Sequence, residues 1–337
     1  MKHVLQWHIT HKCNLRCAHC YQNEYCSDIT WVQMENIFYQ YLDFVRYFNY
    51  IGHINFTGGE PFVNDHLWDL LELCEKNNIS FGILTNGILL TKEMVFRLAQ
   101  YKHLSFVQIS IDGTKQTHDK IRGKGTFHKT FKSVKLLKKA KIQVMAAFTC
   151  HRQNYMELSK VIRLVKGNKV DRFWVDRFIP IDKNKDFDRS MMLSTEEYRL
   201  VIKLLTKERK RLSKTVIHTN RALQFSEGCG EIYQCSAGKE LLTILADGTL
   251  LPCRRLPIPI GNVLEKRILD IYNESELIDD LKKKEIPKEC NPCYHASFCR
   301  GGAKCLSYAL HGDYHRRDDN CYIQLPNAID GDTFRFN

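Results

Sequence analysis

The sequence has no long apolar run, and it has few of the residues that interrupt regular structure. No stretch of about 18 apolar residues occurs in its 337 positions, which argues against a membrane-spanning helix. The first residues lack the small-residue cleavage site of a secretory signal. With 8 prolines, 18 glycines and no low-complexity segment, the chain is neither collagen-like nor disordered. We therefore expect a globular, cytoplasmic protein.

Cysteine, in contrast, is abundant, with 14 residues. In a reducing compartment, clustered thiols are more often metal ligands or catalysts than disulfides. Eleven of the 14 fall into two groups, one of three near the start of the chain and one of eight in its last third. The sequence therefore predicts two metal-binding regions.

The net charge of +12 is the other strong bias in composition. An acidic or nucleic-acid partner is one explanation, because basic proteins attract polyanions. The lysines and arginines, however, are spread over helical patterns such as residues 132–141 and 203–211. Solvated helix faces account for that spacing, so we do not expect nucleic-acid binding.

Residues 4 to about 212 alternate short β-branched or aromatic runs with longer amphipathic segments, which is the pattern of repeated βα units. Predicted strands cover residues 4–10, 53–57, 80–85, 105–112, 143–149 and 173–180. Predicted helices cover residues 31–47, 66–76, 92–101, 127–139, 155–166 and 195–212. Right-handed crossovers make such strands parallel, so the expected fold is α/β, a partial (βα)6 barrel of the TIM type.

Helical periodicity gives way to Cys, Gly and Pro after about residue 225. Asp247-Gly248 lies between two apolar runs and predicts a hairpin turn. A small domain with few core residues usually needs metals or cross-links, which agrees with its eight cysteines. We predict a catalytic domain at residues 1–222, a small cysteine-rich domain at 223–325 and a tail at 326–337.

Three cysteines, Cys13, Cys17 and Cys20, lie in a loop just beyond the first predicted strand. Thiolates at this spacing can bind three irons of one [4Fe–4S] cubane and leave the fourth iron open for a substrate or co-substrate. The same spacing suits an incomplete zinc site that has His11 or His19 as its fourth ligand. Spacing alone leaves both interpretations open.

The C-x3-C-x2-C motif, with His19 before its last cysteine, resembles the radical S-adenosylmethionine (SAM) superfamily. The resemblance implies that the open iron binds the amino and carboxylate groups of SAM. It extends to Gly58, Gly59 and Glu60 after the second strand, which are similar to the GGE motif that receives the SAM amino group. Glycines let a backbone approach a ligand closely, and a carboxylate suits an ammonium group.

Further polar residues follow the third and fourth predicted strands. Asn86 matches a family position, and by the resemblance Ser110 and Asp112 contact the ribose or the methionine part of SAM. Ordinary turns at strand ends are the alternative for these residues. Arg122 lies in a segment similar to one in peptide-modifying members, where an arginine pairs with the SAM carboxylate.

The C-terminal cysteines resemble the SPASM extension of radical SAM enzymes, although two zinc sites suit the same spacing. By the resemblance, a first auxiliary [4Fe–4S] cluster is held by Cys229, Cys235 and Cys253, with Cys305 as the candidate fourth ligand. A second auxiliary cluster is held by Cys290, Cys293, Cys299 and Cys321. The family usually has a cysteine where Ala303 stands, so the fourth ligand of the first cluster stays open.

The resemblance implies that one electron from the first cluster cleaves SAM and yields a 5′-deoxyadenosyl radical, which abstracts a substrate hydrogen. SPASM members mostly modify ribosomally synthesised peptides, by thioether or carbon–carbon cross-links or by epimerisation. A precursor peptide is therefore the expected partner, with a reductant such as flavodoxin or ferredoxin. The alternatives are tailoring of haem or a quinone precursor, and a zinc-binding nucleic-acid module without catalysis.

Two features narrow the peptide-modifying interpretation. Sulfatase-maturing relatives carry an acidic base after the equivalent of Cys253, whereas this chain has Arg254 and Arg255, which argues against sulfatase maturation. The first predicted strand begins almost at the first residue, so we expect a leader peptide to be recognised by the surface of this body or by a separate protein.

Overall fold

The computed structural model describes residues 1–22, 28–180, 189–218, 222–223, 226, 234–283 and 285–325. Its first seven strands are β1 Lys2–His8, β2 Ile51–Thr57, β3 Ser80–Thr85, β4 Leu104–Ser110, β5 Val144–Cys150, β6 Arg172–Arg177 and β7 Val216–Ile217. Successive strands in this series pair in parallel. The predicted α/β fold with six βα strands is confirmed, and the short β7 adds a seventh strand.

The helices between these strands begin and end close to the predicted positions, apart from the helix Lys115–Arg122, which was not predicted. They are α1 Trp31–Tyr47, α2 Leu67–Lys76, α3 Lys92–Leu98, α4 Lys115–Arg122, α5 Thr126–Lys139, α6 Leu158–Gly167 and α7 Thr195–Arg209. Thr30 and Gln33 form the capping box expected at the start of α1, and Thr91 caps α3. Among the described residues, no helix is both long and apolar enough to cross a membrane.

Helix α4 is absent from the sequence prediction, which gave no helix around Arg122. Only His118 and Ile121 of its eight residues are buried, so it has too few apolar positions to show a helical period. The helix ends at Arg122, because Gly123 takes a positive φ of 110° that most residues avoid. This ending fixes Arg122 beside the carboxyl end of β4.

The cysteine-rich segment continues the same sheet. It contributes the strands β8 Leu241–Ile244, β9 Thr249–Leu251 and β10 Gly261–Asn262, and the described strands are ordered β10-β9-β8-β1-β2-β3-β4-β5-β6-β7. Strand β8 pairs in parallel with β1, and it pairs with β9 through the predicted turn at Asp247-Gly248. The C-terminal segment is therefore built onto the first strand of the βα units.

Short helices follow these strands, although the sequence prediction gave none there. They are α8 Ile268–Glu274, α9 Glu276–Lys282, α10 Ala296–Cys299 and α11 Lys304–His311. Each has at most eight residues, too few for a clear amphipathic period. Cys229 and the predicted tail at residues 326–337 lie outside the described part of the chain, and the predicted domain boundary at residue 222 stays a prediction.

Candidate functional site

The loop after β1 presents the three N-terminal thiols. Cys13 and Cys17 are half-buried, and Cys20 is exposed. The backbone N–H of Leu15 donates to Cys13 Sγ and that of Gln22 donates to Cys20 Sγ, both at 3.4 Å. Burial raises the pKa of Cys13, and the hydrogen bond from Leu15 limits this rise by favouring the thiolate, which is the form that binds metal.

The Gly58-Gly59-Glu60 segment holds this loop in place. The N–H of Gly59 donates to Thr10 O at 2.8 Å, and the N–H of Glu60 donates to Lys12 O at 2.9 Å. A Cβ atom on Gly59 would lie 2.1 Å from Lys12 O, and one on Gly58 would lie 2.5 Å from Thr10 O. The glycines are thus required because the backbone of the cysteine loop passes directly over them.

Glu60 and Asn86 connect the ends of β2 and β3 to the same loop. The fully buried Glu60 carboxylate accepts from Thr85 Oγ1 at 2.6 Å and from the N–H of Asn86 at 2.8 Å. Burial raises the pKa of Glu60 to about 7, and these hydrogen bonds limit the rise. Asn86 Nδ2 in turn donates to Asn14 Oδ1 at 2.8 Å, next to Cys13.

Asp112 is the centre of a second polar group, at the end of β4. Its carboxylate pairs with Arg122, lies 3.5 Å from His19 Nε2 and accepts from the N–H of Thr149 at 3.0 Å. Burial opposes its ionisation most strongly, but Arg122, His19 and the Thr149 hydrogen bond together outweigh burial, and the pKa of Asp112 falls to about 2. Asp112 therefore orients Arg122, whose Nη1 lies 3.8 Å from Cys17 Sγ. Ser110 is half-buried at the last position of β4.

The predicted ligands of the second auxiliary cluster converge. Four cysteines line one cavity, and these are Cys290, Cys293, Cys299 and Cys321. Arg317 lies against the same cavity and donates from Nη2 to Cys321 Sγ at 3.3 Å. Sequence reasoning missed Arg317, although its position four residues before a predicted ligand, in a basic stretch, was an available signal.

The described ligands of the first auxiliary cluster also lie together. Cys235, Cys253 and Cys305 pack around one apolar group that contains Ala237, Leu256 and Leu281. Burial raises the pKa of Cys253 to about 12, and the neighbouring Cys305 adds to the rise. The remaining predicted ligand, Cys229, lies outside the described residues. Ala303 is buried and carries no ligand atom.

The thiols fit iron–sulfur clusters better than zinc. Burial raises the pKa of Cys17 to about 11, so its thiolate needs a bound cation. Among the described cysteines, no three thiols lie within 4.8 Å of one another. Tetrahedral zinc with Zn–S bonds of about 2.3 Å requires sulfur atoms about 3.8 Å apart. The wider separation suits the corners of a cubane.

Two family models match the chain where the motifs lie. The Radical SAM superfamily matches residues 7–165, which contain the cysteine loop, Glu60 and Asp112. The iron–sulfur cluster-binding SPASM domain matches residues 235–294. These matches set aside the non-catalytic zinc module, and they confirm that the cofactors are iron–sulfur clusters and SAM.

Curated relatives agree over most of the chain. The subtilosin biosynthesis protein AlbA of Bacillus subtilis is 28% identical over 92% of this chain and 68% of its own length. The AdoMet-dependent heme synthase of Methanosarcina barkeri is 26% identical over 94% of this chain and 95% of its own length. Their names cover both peptide and haem chemistry.

Solved structures show the same fold. Streptococcus suis SuiB bound to SAM superposes with a TM-score of 0.78, covering 96% of this chain and 77% of that chain at 20% identity. SuiB bound to its precursor peptide SuiA gives a TM-score of 0.76. The motifs, the fold and the family matches agree, and the chain belongs to the radical SAM superfamily as an enzyme that carries a C-terminal SPASM iron–sulfur domain.

Proposed function

We propose that this enzyme modifies a ribosomally synthesised peptide, by a thioether or carbon–carbon cross-link or by epimerisation. The observation that carries the proposal is the placement of the auxiliary cysteines on the sheet that bears the SAM site, through the pairing of β8 with β1. AlbA, which matches 92% of this chain, is named for biosynthesis of the bacteriocin subtilosin. SuiB, whose structure covers 96% of this chain, was crystallised with its precursor peptide SuiA.

We assign roles to the site residues as follows. Cys13, Cys17 and Cys20 hold the SAM cluster, which supplies the electron that cleaves SAM reductively to a 5′-deoxyadenosyl radical. Glu60 and Asn86 keep the cysteine loop in position, and Gly58 and Gly59 let it pass. SAM itself is bound by the Gly58-Gly59-Glu60 segment and Asn86, together with three residues near β4, namely Ser110, Asp112 and Arg122. Asp112 acts by presenting the Arg122 guanidinium to the SAM carboxylate.

We assign the auxiliary clusters and partners in the same way. One cluster is held by Cys229, Cys235, Cys253 and Cys305, and the other by Cys290, Cys293, Cys299 and Cys321. The partners are a precursor peptide and a one-electron reductant such as flavodoxin or ferredoxin. Because clustered free thiols and iron–sulfur clusters persist in reducing compartments, we place the reaction in the cytoplasm.

Incubation with candidate peptides tests the proposal. The anaerobically reconstituted enzyme is supplied with SAM, dithionite and peptides encoded beside its gene, and peptide mass and 5′-deoxyadenosine are measured. We expect a mass loss of about 2 Da for a cross-link, or deuterium uptake from D2O for epimerisation, together with deoxyadenosine. Cys17→Ala is expected to give neither product. Deoxyadenosine without any altered peptide would contradict the peptide assignment.

Haem-type chemistry is the second candidate function, because one relative, whose match covers 94% of this chain, is named as a haem synthase. The same assay with a carboxylated tetrapyrrole in place of the peptide distinguishes the two. A decarboxylated tetrapyrrole and an unchanged peptide would favour this candidate.

A further inference from the structure

Arg254 lies between the two cysteine regions, in contact with the N-terminal loop. It directly follows Cys253, and its guanidinium carbon is 4.3 Å from the ring centre of Tyr21, which directly follows Cys20. Its Nη2 donates to Tyr21 O at 3.2 Å. Arg254, next to a predicted ligand of the first auxiliary cluster, is thus in contact with Tyr21, next to a predicted ligand of the SAM cluster.

In the described part of the chain, the charge of Arg254 has no carboxylate partner. Across the described parts of the chain, no carboxylate forms an ion pair with it, and its Nε–H is buried without a hydrogen-bond acceptor. Its neighbour Arg255, by comparison, pairs with Asp176 at 3.0 Å and donates to Arg177 O. A partly buried guanidinium with an unused N–H group is costly unless an anion completes the pair.

Among the described residues, the titratable groups close to Arg254 and Tyr21 are His8 and the thiols of Cys20 and Cys253, and none of them is a carboxylate. The Tyr21 ring packs edge-on against His8, with ring centres 6.1 Å apart. Burial, with the charges of Arg254 and His11, lowers the pKa of His8 to about 3, so that His8 is neutral. His11 Nε2 is buried and lacks a hydrogen-bond partner. The group therefore offers donors and a positive charge to a ligand.

The position separates this group from the residues assigned to SAM. Arg122 reaches the cysteine loop from the end of β4 and lies beside Cys17, whereas Arg254 reaches it from beyond β9 and lies against Tyr21, the residue after Cys20. Strands β8, β1, β2 and β3 lie between β9 and β4 in the sheet. The two arginines therefore reach the cysteine loop from different strands and at different residues.

We propose that Arg254, with Tyr21, forms a subsite that binds a carboxylate group of the substrate between the SAM cluster and the first auxiliary cluster. The proposal rests on the proposed function, which makes the group an Asp, Glu or C-terminal carboxylate of the peptide. A haem precursor would present a propionate to the same guanidinium, and the test separates these sources. A guanidinium binds a carboxylate through two parallel hydrogen bonds, which also fixes its orientation.

Arginine footprinting tests the carboxylate preference without a known substrate. The SAM-loaded holoenzyme is treated with phenylglyoxal, and modification of Arg254 is measured by peptide mass mapping, with Arg255 and the exposed Arg267 as internal references. We expect N-acetyl-glutamate to slow modification of Arg254 severalfold and N-acetyl-glutamine to leave it unchanged. Equal effects of the two probes would overturn the proposal. Full protection by SAM alone would also overturn it, because the arginine would then belong to the co-substrate.

Footprinting with the substrate itself and kinetic measurements on variants identify the source of the carboxylate. Protection by the precursor peptide that is lost on Asp→Asn, Glu→Gln or C-terminal amidation supports a peptide carboxylate, and protection by coproporphyrin III alone overturns that source.

With a peptide that the enzyme turns over, Arg254→Gln should raise KM about tenfold or more with a smaller change in kcat, as for loss of a charged hydrogen bond. Arg254→Lys should restore part of the affinity, and Arg255→Gln should keep the KM of the wild type. Failure of the wild type to modify any peptide would reject the proposed function and leave the footprinting result standing.

Discussion

Single glycines decide whether the cysteine loop can occupy its position. Gly59 has no side chain to displace Lys12, whose carbonyl oxygen would lie 2.1 Å from a Cβ atom there. Backbone atoms cannot move aside as the end of a flexible side chain can. The GGE segment therefore acts on the SAM cluster by shaping its loop, in addition to any contact with SAM.

Gly59→Ala is expected to remove the SAM cluster and to spare the fold. We expect about four fewer irons per chain than the wild type and no deoxyadenosine, with an unchanged far-ultraviolet spectrum. Gly167→Ala is the matched control, because a Cβ atom at Gly167 meets no other atom within 4 Å. A Gly59→Ala protein with full iron content would contradict this account of the segment.

Buried histidines in the first strand make stability depend on pH. Burial lowers the pKa of His3 from 6.5 to about 4, and its side chain is fully buried beside Tyr41. As the pH falls below 6.5, the unfolded chain binds a proton that the folded chain excludes. The stabilisation is therefore complete above pH 6.5 and is lost progressively toward pH 4.

His3→Phe is expected to flatten this dependence. Between pH 6.5 and 5 the wild type should lose about 2 kcal/mol more unfolding free energy than the variant, since one pKa unit corresponds to about 1.4 kcal/mol. Urea unfolding followed by circular dichroism at several pH values measures the difference. Parallel curves for the two proteins would show that His3 does not exclude the proton.

At the scale of elements, one buried ion pair joins β6 to the segment between the auxiliary cysteines. Arg177, the last residue of β6, donates to Asp318 Oδ1 at 3.0 Å and to Asn320 Oδ1 at 2.9 Å. Asp318 also accepts from the N–H of Ala303 at 2.9 Å. The pair thus fixes the loops that carry Cys299, Cys305 and Cys321 relative to the sheet.

Breaking this pair from one side should cost more than removing both partners. Asp318→Leu leaves the buried Arg177 uncompensated, and we expect a loss of about 3 to 5 kcal/mol in unfolding free energy. Adding Arg177→Met should recover part of that loss, because no buried charge then remains. Urea denaturation measures both variants, and the exposed pair Arg267–Asp270 supplies the control Asp270→Asn, which should change nothing measurable. A double variant less stable than either single variant would contradict the prediction.

At the scale of the whole molecule, the two matched regions share one sheet. Residues Val4 to Trp7 of β1 pair with Leu241 to Ile244 of β8 on one side and with β2 on the other. Leu5, Trp7, Leu242 and Ile244 are all buried. The N-terminal units therefore depend on the C-terminal segment to cover the edge of their first strand.

A chain ending at residue 222 should consequently associate or precipitate. Without β8, the backbone N–H and C=O groups of β1 on that side become an exposed edge flanked by apolar side chains. Size-exclusion chromatography and the soluble fraction, compared with the full chain under anaerobic conditions, check this. A monomeric, SAM-cleaving 1–222 fragment would show that the regions are independent.

Local patterns in the sequence were sufficient for the βα units and for the cysteine motifs. The six strands from β1 to β6 and the cap of α1 were predictable because alternation, periodicity and capping residues act over a few positions. The C-x3-C-x2-C loop was predictable because its ligands are close in sequence. Helix α4 was missed because its sequence shows no apolar stripe, since only two of its residues are buried.

Only the tertiary structure decided which distant residues meet. Arg254 contacts Tyr21 across 233 positions, and Arg177 contacts Asp318 across 141. The pairing of β8 with β1 likewise joins segments that are more than 200 residues apart in the sequence. Pairings of this kind depend on the packing of the complete sheet, so no short window of sequence encodes them.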